Sequence, residues 1–440
     1  MINWTDWLLW GIYLSVIAII IWFLRLKQAK EIQKYYWYGF GAKVLGSLAF
    51  ALVYVFYYKF GDSFEYYKGA ASLSAAMVES PSTYLDLLLS EPSSVFHGKM
   101  GDYANSLAYS DTPEEWFMVK LLSPLSLLSF NSYLVLNLFM GLISFIGSWK
   151  LLQVFIDILP ERKNIAFICS FLIPSVVFWG SGIMKDTLTL TGVHFLLNIL
   201  YFGIVKGQFR WHDSITFLIW FLITFQLKSY IIMALLPGIL LTTYYCYRSR
   251  IKSDLIRMIS GPLLLMLLIG ASFFGLSYLS ESSEKYKLSQ LEWKVKGFHS
   301  WHTDVGGSSY NLGEVDYTAQ GVLMKVPASL NVTFFRPYIW EARNPVVLLG
   351  ALESLALFIL FLIVLYLGRF KLMKALKNQF LLKGMLIFIL VFGVAIGFTS
   401  YNFGALGRYK IPILPLFSFT LCYLWFHLKK LSNPNSKSLL

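Results

Sequence analysis

Apolar residues recur along this chain in long unbroken blocks, not in the narrow stripes that mark the helices and strands of a soluble fold. The blocks run to about 17 to 23 residues, enough at 1.5 Å per residue to cross a hydrocarbon core of about 30 Å. The pattern predicts an all-α fold, a polytopic transmembrane helical bundle of about eleven spans. They fall near 7–24, 37–57, 131–149, 164–180, 187–205, 214–227, 229–247, 258–279, 345–367, 381–399 and 411–428. No stretch joins a basic leader to a short apolar core and an A-x-A-like site, so no cleaved signal peptide is expected and the first span is retained.

The polar positions gather in the connections, and two of these are long, 58–118 and 280–344. The chain, 1–440, reads as one integral membrane domain carrying these two loops. In the first, Tyr84, Leu85, Leu87, Leu88 and Leu89 after Pro81-Ser82 predict a short helix lying at the interface, and 116–128 predicts another. Asn131-Ser132 offers a cap for the next span. The second loop sets Trp293, Trp301, Tyr310 and Tyr317 around Gly306-Gly307-Ser308-Ser309, which suits either a lid or an ordinary glycine turn. No internal repeat is visible.

Composition agrees with the pattern: 57% of residues are hydrophobic, 18% aromatic and 14% charged, against about 25% charged in a typical soluble domain. Charge adds sidedness. One set of alternating connections holds 21 of the 37 Lys and Arg with only five acids, among them Arg25, Lys27, Lys163, Arg210, Lys371 and Lys429. By the positive-inside rule that set is cytoplasmic, which puts the N-terminus outside and the C-terminus in the cytoplasm of a cell membrane, the bacterial inner membrane being the expected one. The formal charge of +13 then reflects topology and contact with anionic lipid, and gives no case for nucleic acid. Cys169, Cys246 and Cys422 have no paired spacing and read as packing residues.

The opposite face carries the candidate chemistry. Gly61-Asp62-Ser63-Phe64-Glu65-Tyr66-Tyr67 follows the second span. A carboxylate in an aromatic interfacial setting suits a general base, and on a helix Asp62 and Glu65 would share one face, with Tyr66 beside them. A capping role for Asp62, completed by Glu65, fits the same spacing. Pro174 to Asp186 joins the fourth and fifth spans and places Lys185 and Asp186 at the interface, suited to phosphate contact or to a plain hairpin. Lys228 sits in a turn of a few residues between the sixth and seventh spans. Phe335 to Pro345 carries Arg336, Glu341 and Arg343 among aromatics, either a phosphate fork or an anchor with Arg336 paired to Glu341. Glu353 lies inside the ninth span. Tyr401 to Pro412 brings Arg408 and Lys410 to the surface before the last span.

His299, His302 and Asp304 suit a metal or a solvated loop, and no metal site is assigned. The chain lacks a P-loop, a G-x-S-x-G, an H-E-x-x-H and a Rossmann fingerprint in strand-helix context.

Topology and the Gly61-to-Tyr67 motif together resemble the GT-C superfamily of membrane glycosyltransferases, which includes protein mannosyltransferases and aminoarabinose transferases. The resemblance implies a sugar donor on polyprenyl phosphate and a glycan, lipid or protein acceptor on the extracytoplasmic face. It also implies Asp62, supported by Glu65, near the acceptor hydroxyl. Lys185, Arg336 and Arg408 would receive the donor phosphate, with Asp186, Lys228, Glu341, Arg343, Lys410 and Tyr66 completing the site. No cofactor is required; a divalent cation, Mg2+ or Mn2+, bridging Asp62 or Glu65 to phosphate is compatible. The acidic loop here follows the second span, where the family usually has it after the first, so the resemblance also implies an extra N-terminal helix. An O-antigen-type polymerase or ligase would instead rest on Arg336, Arg343 and Arg408. A secondary transporter or flippase would need charges and broken helices near the bilayer midplane, where Lys43 and Glu353 are the candidates.

Overall fold

A computed structural model describes residues 2–248, 319–369, 371–377 and 379–432, and between these 251, 253–256, 259–261, 263, 266, 310, 312 and 313. Most of the expected segment 258–279 and of the loop 280–344, with Trp293, Trp301, Gly306 to Ser309, Tyr317, His299, His302 and Asp304, lie outside the described residues. The protein is helical, with no strand among the described residues. It forms two compact units, residues 1–198 with 214–229, and residues 199–213 with 230–440.

The first unit starts with α1 (Trp4–Leu26) and α2 (Gln33–Val53), the latter running on through a wider π turn, Tyr54–Tyr58. Four helices fill the predicted first loop: α3 (Asp62–Glu79), α4 (Pro81–Leu89), α5 (Lys99–Ala104) and α6 (Pro113–Leu128). Prolines at the first positions of α4 and α6 fit there because a helix's first N–H groups have no partner to lose. α7 (Tyr133–Ile158) is the buried centre of the unit. A span expected at 164–180 is two pieces, α8 (Lys163–Phe171) and α9 (Pro174–Trp179), because Pro174 cannot continue α8. α10 (Lys185–Ile199) follows.

α11 (Trp211–Arg248) is helical on both sides of a break at Lys228, where φ is −154° and ψ 77°. Its first half belongs to the first unit. The second unit adds α12 (Ala319–Met324), α13 (Val326–Phe335), α14 (Pro345–Gly368), α15 (Leu372–Ala375), α16 (Phe380–Thr399), α17 (Phe403–Tyr409) and α18 (Leu414–Ser432). Packing there uses small residues, as helices in lipid do to bring backbones close. A Cβ at Gly397 would lie 2.1 Å from the Ser329 carbonyl oxygen, which is how closely α13 and α16 approach.

Seven described helices are long and apolar enough to cross a membrane, or eight if the bent pair α17–α18 counts as one span. The chain is a multi-pass membrane protein. Exposed Trp4, Ile12, Ile19 and Phe23 on α1, and Leu349, Ile359 and Tyr366 on α14, are the apolar surfaces that lipid would cover.

Candidate functional site

Sharp turning of the chain after α2 sets up the first cluster. Lys59 has φ 63° and Gly61 φ 120°, the second being a region that only glycine occupies without strain. Gly61 is thereby the residue that caps α3, and Asp62 is its first helical residue. There a carboxylate is favoured by the helix dipole.

Tyr109, in the turn after α5, donates its hydroxyl to Asp62 Oδ1 at 2.8 Å. Tyr66, one turn along α3, is buried with its ring centroid 5.2 Å from that of Tyr109. Burial, and then the charge of Asp62, pushes the Tyr109 phenol well above its ordinary value, with Glu115 and Glu65 adding to the effect. One phenol therefore sits in the field of three carboxylates. Glu65 is paired with Lys68 at 2.7 Å on the more exposed side of α3.

Glu115 lies in the first turn of α6 and accepts from Lys185 Nζ at 2.5 Å, both side chains being largely buried. Next to Lys185, Asp186 pairs with Lys228, more deeply still. The break in α11 is what places Lys228 there, since its extended backbone ends one helical run where α10 begins. The turn leading into α10 is pinned by Asn137 Oδ1, which accepts from Ile183 N at 3.0 Å, and by Thr187 Oγ1 donating to the Gly182 carbonyl at 2.7 Å. Asp62 is thus hydrogen-bonded to Tyr109, Glu115 acts on that phenol through its charge and pairs with Lys185, and Asp186, the next residue along the chain, pairs with Lys228.

Elsewhere in the first unit, Lys43 is fully buried and donates to the carbonyls of Val176 at 3.2 Å and Gly180 at 3.5 Å, at the C-terminal end of α9. A cation there meets the negative end of the helix dipole.

The remaining expected residues lie in the second unit. Arg336 donates to both carboxylate oxygens of Glu341, and Oε2 also accepts from Tyr338 N at 2.8 Å. The guanidinium lies 5.3 to 5.8 Å from the ring centres of Phe403, Tyr310 and Tyr338. Burial pushes the Tyr310 phenol up. Lys410 is buried and donates to Ser354 Oγ at 3.2 Å, and Ser354 in turn donates to the Arg336 carbonyl at 3.2 Å. Arg408 donates to Tyr409 Oη at 3.1 Å. Arg343 is exposed.

The structure therefore brings Asp62, Glu65, Tyr66, Lys185, Asp186 and Lys228 into one unit, and Arg336, Glu341, Arg408 and Lys410 into the other, while Arg343 stands at the surface. Tyr109 and Glu115 escaped the sequence reading. The Pro113-Glu114-Glu115 start of a helix is a recognisable signal for the second, since acids favour a first turn, but nothing local marks Tyr109. Among the described residues no group of three or more His, Cys, Asp or Glu is placed to hold a metal ion.

Fold and site together define a multi-pass helical membrane protein with a half-buried cluster of acids, a phenol and lysines. No protein-family model, curated protein or solved structure matches the chain.

Proposed function

We propose that the protein is a membrane glycosyltransferase of the GT-C kind, moving a sugar from a polyprenyl-phosphate donor to an acceptor on the extracytoplasmic face for cell-surface glycan assembly. The observation that carries the reading is the Asp62–Tyr109 hydrogen bond in the same network as Lys185. Asp62 accepts the acceptor hydroxyl's proton, Tyr109 fixes the orientation of its carboxylate, and Lys185 offsets negative charge developing on the departing phosphate. Displacement on the face opposite the leaving group inverts the anomeric centre.

The proposal includes the finer topology of about eleven spans with the N-terminus outside. Broken elements support that count: α8 with α9 and the two halves of α11 fall on expected spans, and α18 falls on the last of them. A 38-residue helix would be about 57 Å long if straight, nearly twice the hydrocarbon core, so two spans meeting at Lys228 suit α11 better.

A polymerase or ligase built on Arg336 has less support, because that guanidinium is already held by Glu341 and walled by three rings. The test is Asp62→Asn in a cell-surface glycan assay with matched protein levels. Loss of glycan of at least a hundredfold is expected, and glycan assembly at the native rate would end the reading.

A further inference from the structure

In the first unit, α2, α7 and α10 meet in a seam, and contacts fix the depth of each residue along it. α2 and α7 run in opposite directions: the Phe40 and Phe145 rings lie 5.9 Å apart, Tyr36 and Trp149 lie 4.6 Å apart, and a Cβ on Gly141 would lie 3.0 Å from the Lys43 carbonyl oxygen. α10 runs parallel to α7, since a Cβ on Gly147 would lie 2.8 Å from Thr191 and Asn198 Nδ2 donates to the Lys150 carbonyl at 2.9 Å. His194 falls between Thr191 and Asn198 on the same helical stripe, so it faces α7. At about 100° per residue, Ser144 and Ser148 project between the sides of α7 that meet α2 and α10, Ser144 at the depth of Lys43 and Ser148 at that of His194.

Lys43 and His194 are fully buried near the middle of helices long and apolar enough to cross a membrane, where an ionisable side chain is costly and is kept for function. The charge of Lys43 acts on His194. Among the described residues no carboxylate offsets that charge, and Lys43 donates only to the carbonyls of Val176 and Gly180. Neither ring nitrogen of His194, nor the hydroxyls of Ser144 and Ser148, has a hydrogen-bond partner among the described residues. The other ionisable groups at these helix interfaces are Tyr35, Tyr36, Lys150, Cys169 and Asp186, and the one carboxylate among them is paired with Lys228. Two cations at this depth would repel each other where little can solvate them, whereas one is held by the two carbonyl oxygens. An amine that gives up its proton keeps two N–H groups, enough for both carbonyls, and the serine hydroxyls can receive the N–H groups of a charged ring. We infer that Lys43 and His194 form a proton-binding site inside the spans, holding one proton between them. The proton rests on Lys43 and leaves Nζ as it joins a ring nitrogen, so the pair keeps a single positive charge. Nothing in this site draws on Asp62, Tyr109 or Lys185, so it stands apart from the transferase reading.

The test uses the full chain in phosphatidylcholine nanodiscs, labelled with nitrogen-15 in its histidine rings or in its lysine side chains and read by NMR at pH 6. Signals of His194 are those missing from His194→Gln, and those of Lys43 are missing from Lys43→Arg. A neutral imidazole gives two well-separated ring-nitrogen signals, whereas an imidazolium gives two close together. The native protein should show His194 neutral and Lys43 as an ammonium. In Lys43→Met the proton should pass to the ring and draw its two signals together, while Lys43→Arg, which keeps a cation, should leave them apart. His194 charged in the native protein, or still neutral in Lys43→Met, overturns the inference, as does an uncharged Lys43. If Lys43→Met shows no thermal unfolding transition, the native protein at pH 5 and pH 8 decides. One charge, on Lys43, at both values supports the site, and any other count overturns it.

Discussion

Tyr109 reaches back 47 residues along the chain to donate its hydroxyl to Asp62 at 2.8 Å. A hydrogen bond to a charged acceptor contributes about 1.5–3 kcal/mol, so Tyr109→Phe should slow transfer by roughly tenfold or more. The loss should fall on kcat, with KM for the donor little changed. The phenol's pKa is raised from its ordinary 10.0, so the bond is fully formed below pH 10 and is lost only as pH climbs through the raised value. The native rate should accordingly show no alkaline fall from this group between pH 7 and 10. A Tyr109-dependent decline inside that window would refute the account.

The Lys185–Glu115 pair makes a separate prediction, because both side chains are largely buried. Removing one partner leaves a charge in a poorly solvated place, which costs about 3–5 kcal/mol in fully buried pairs and less here. Lys185→Met and Glu115→Leu should each lower the melting temperature of the detergent-solubilised protein by several degrees. The double variant should recover most of that loss. It should remain inactive, since Lys185 is also needed at the phosphate. A double variant as unstable as either single one would show that the pair is not coupled.

These two contacts also mark what could be read from the sequence. Hydropathy showed that the chain is multi-pass because each span must satisfy its backbone internally and cover about 30 Å of hydrocarbon, whereas the break at Pro174 inside the expected span 164–180 was not foreseen. The motif at Asp62 stood out because it is compact. Its partners were hidden, since Tyr109 and Glu115 reach it only through the packing of α3 against α6, where a Cβ on Gly69 would lie 2.7 Å from Val119. The Arg336–Glu341 pair was legible because five residues separate its members, whereas the pairing of Lys228 with Asp186 depends on a backbone break that no single residue type dictates.

Arg336 is expected to act as an anchor of the second unit. Lysine would keep the charge but lose the fork that binds both oxygens of Glu341 and the planar face set among Tyr310, Tyr338 and Phe403. Arg336→Lys should therefore destabilise by about 1–3 kcal/mol, measured by thermal unfolding. Stability equal to the native protein would leave Arg336 free for the phosphate role and would favour the polymerase reading.

Gly182 faces Phe50 so closely that a Cβ would lie 2.0 Å from the ring. The residue belongs to the turn that delivers Lys185 and Asp186 to the site, and its carbonyl is held by Thr187. Gly182→Ala must push either the Phe50 ring or the turn aside, at a cost of about 1–3 kcal/mol. If the ring yields, transfer activity survives. If the turn yields, Lys185 leaves Glu115 and activity falls with stability. Because Phe50 is fully buried and stacks on Tyr54 at 4.5 Å, the ring has no open space to move into, so the turn is displaced as well and activity should fall at least tenfold. Adding Phe50→Leu should restore activity by making room, even though that change alone is destabilising. Failure of the second substitution to rescue the first would place the damage elsewhere than at this contact.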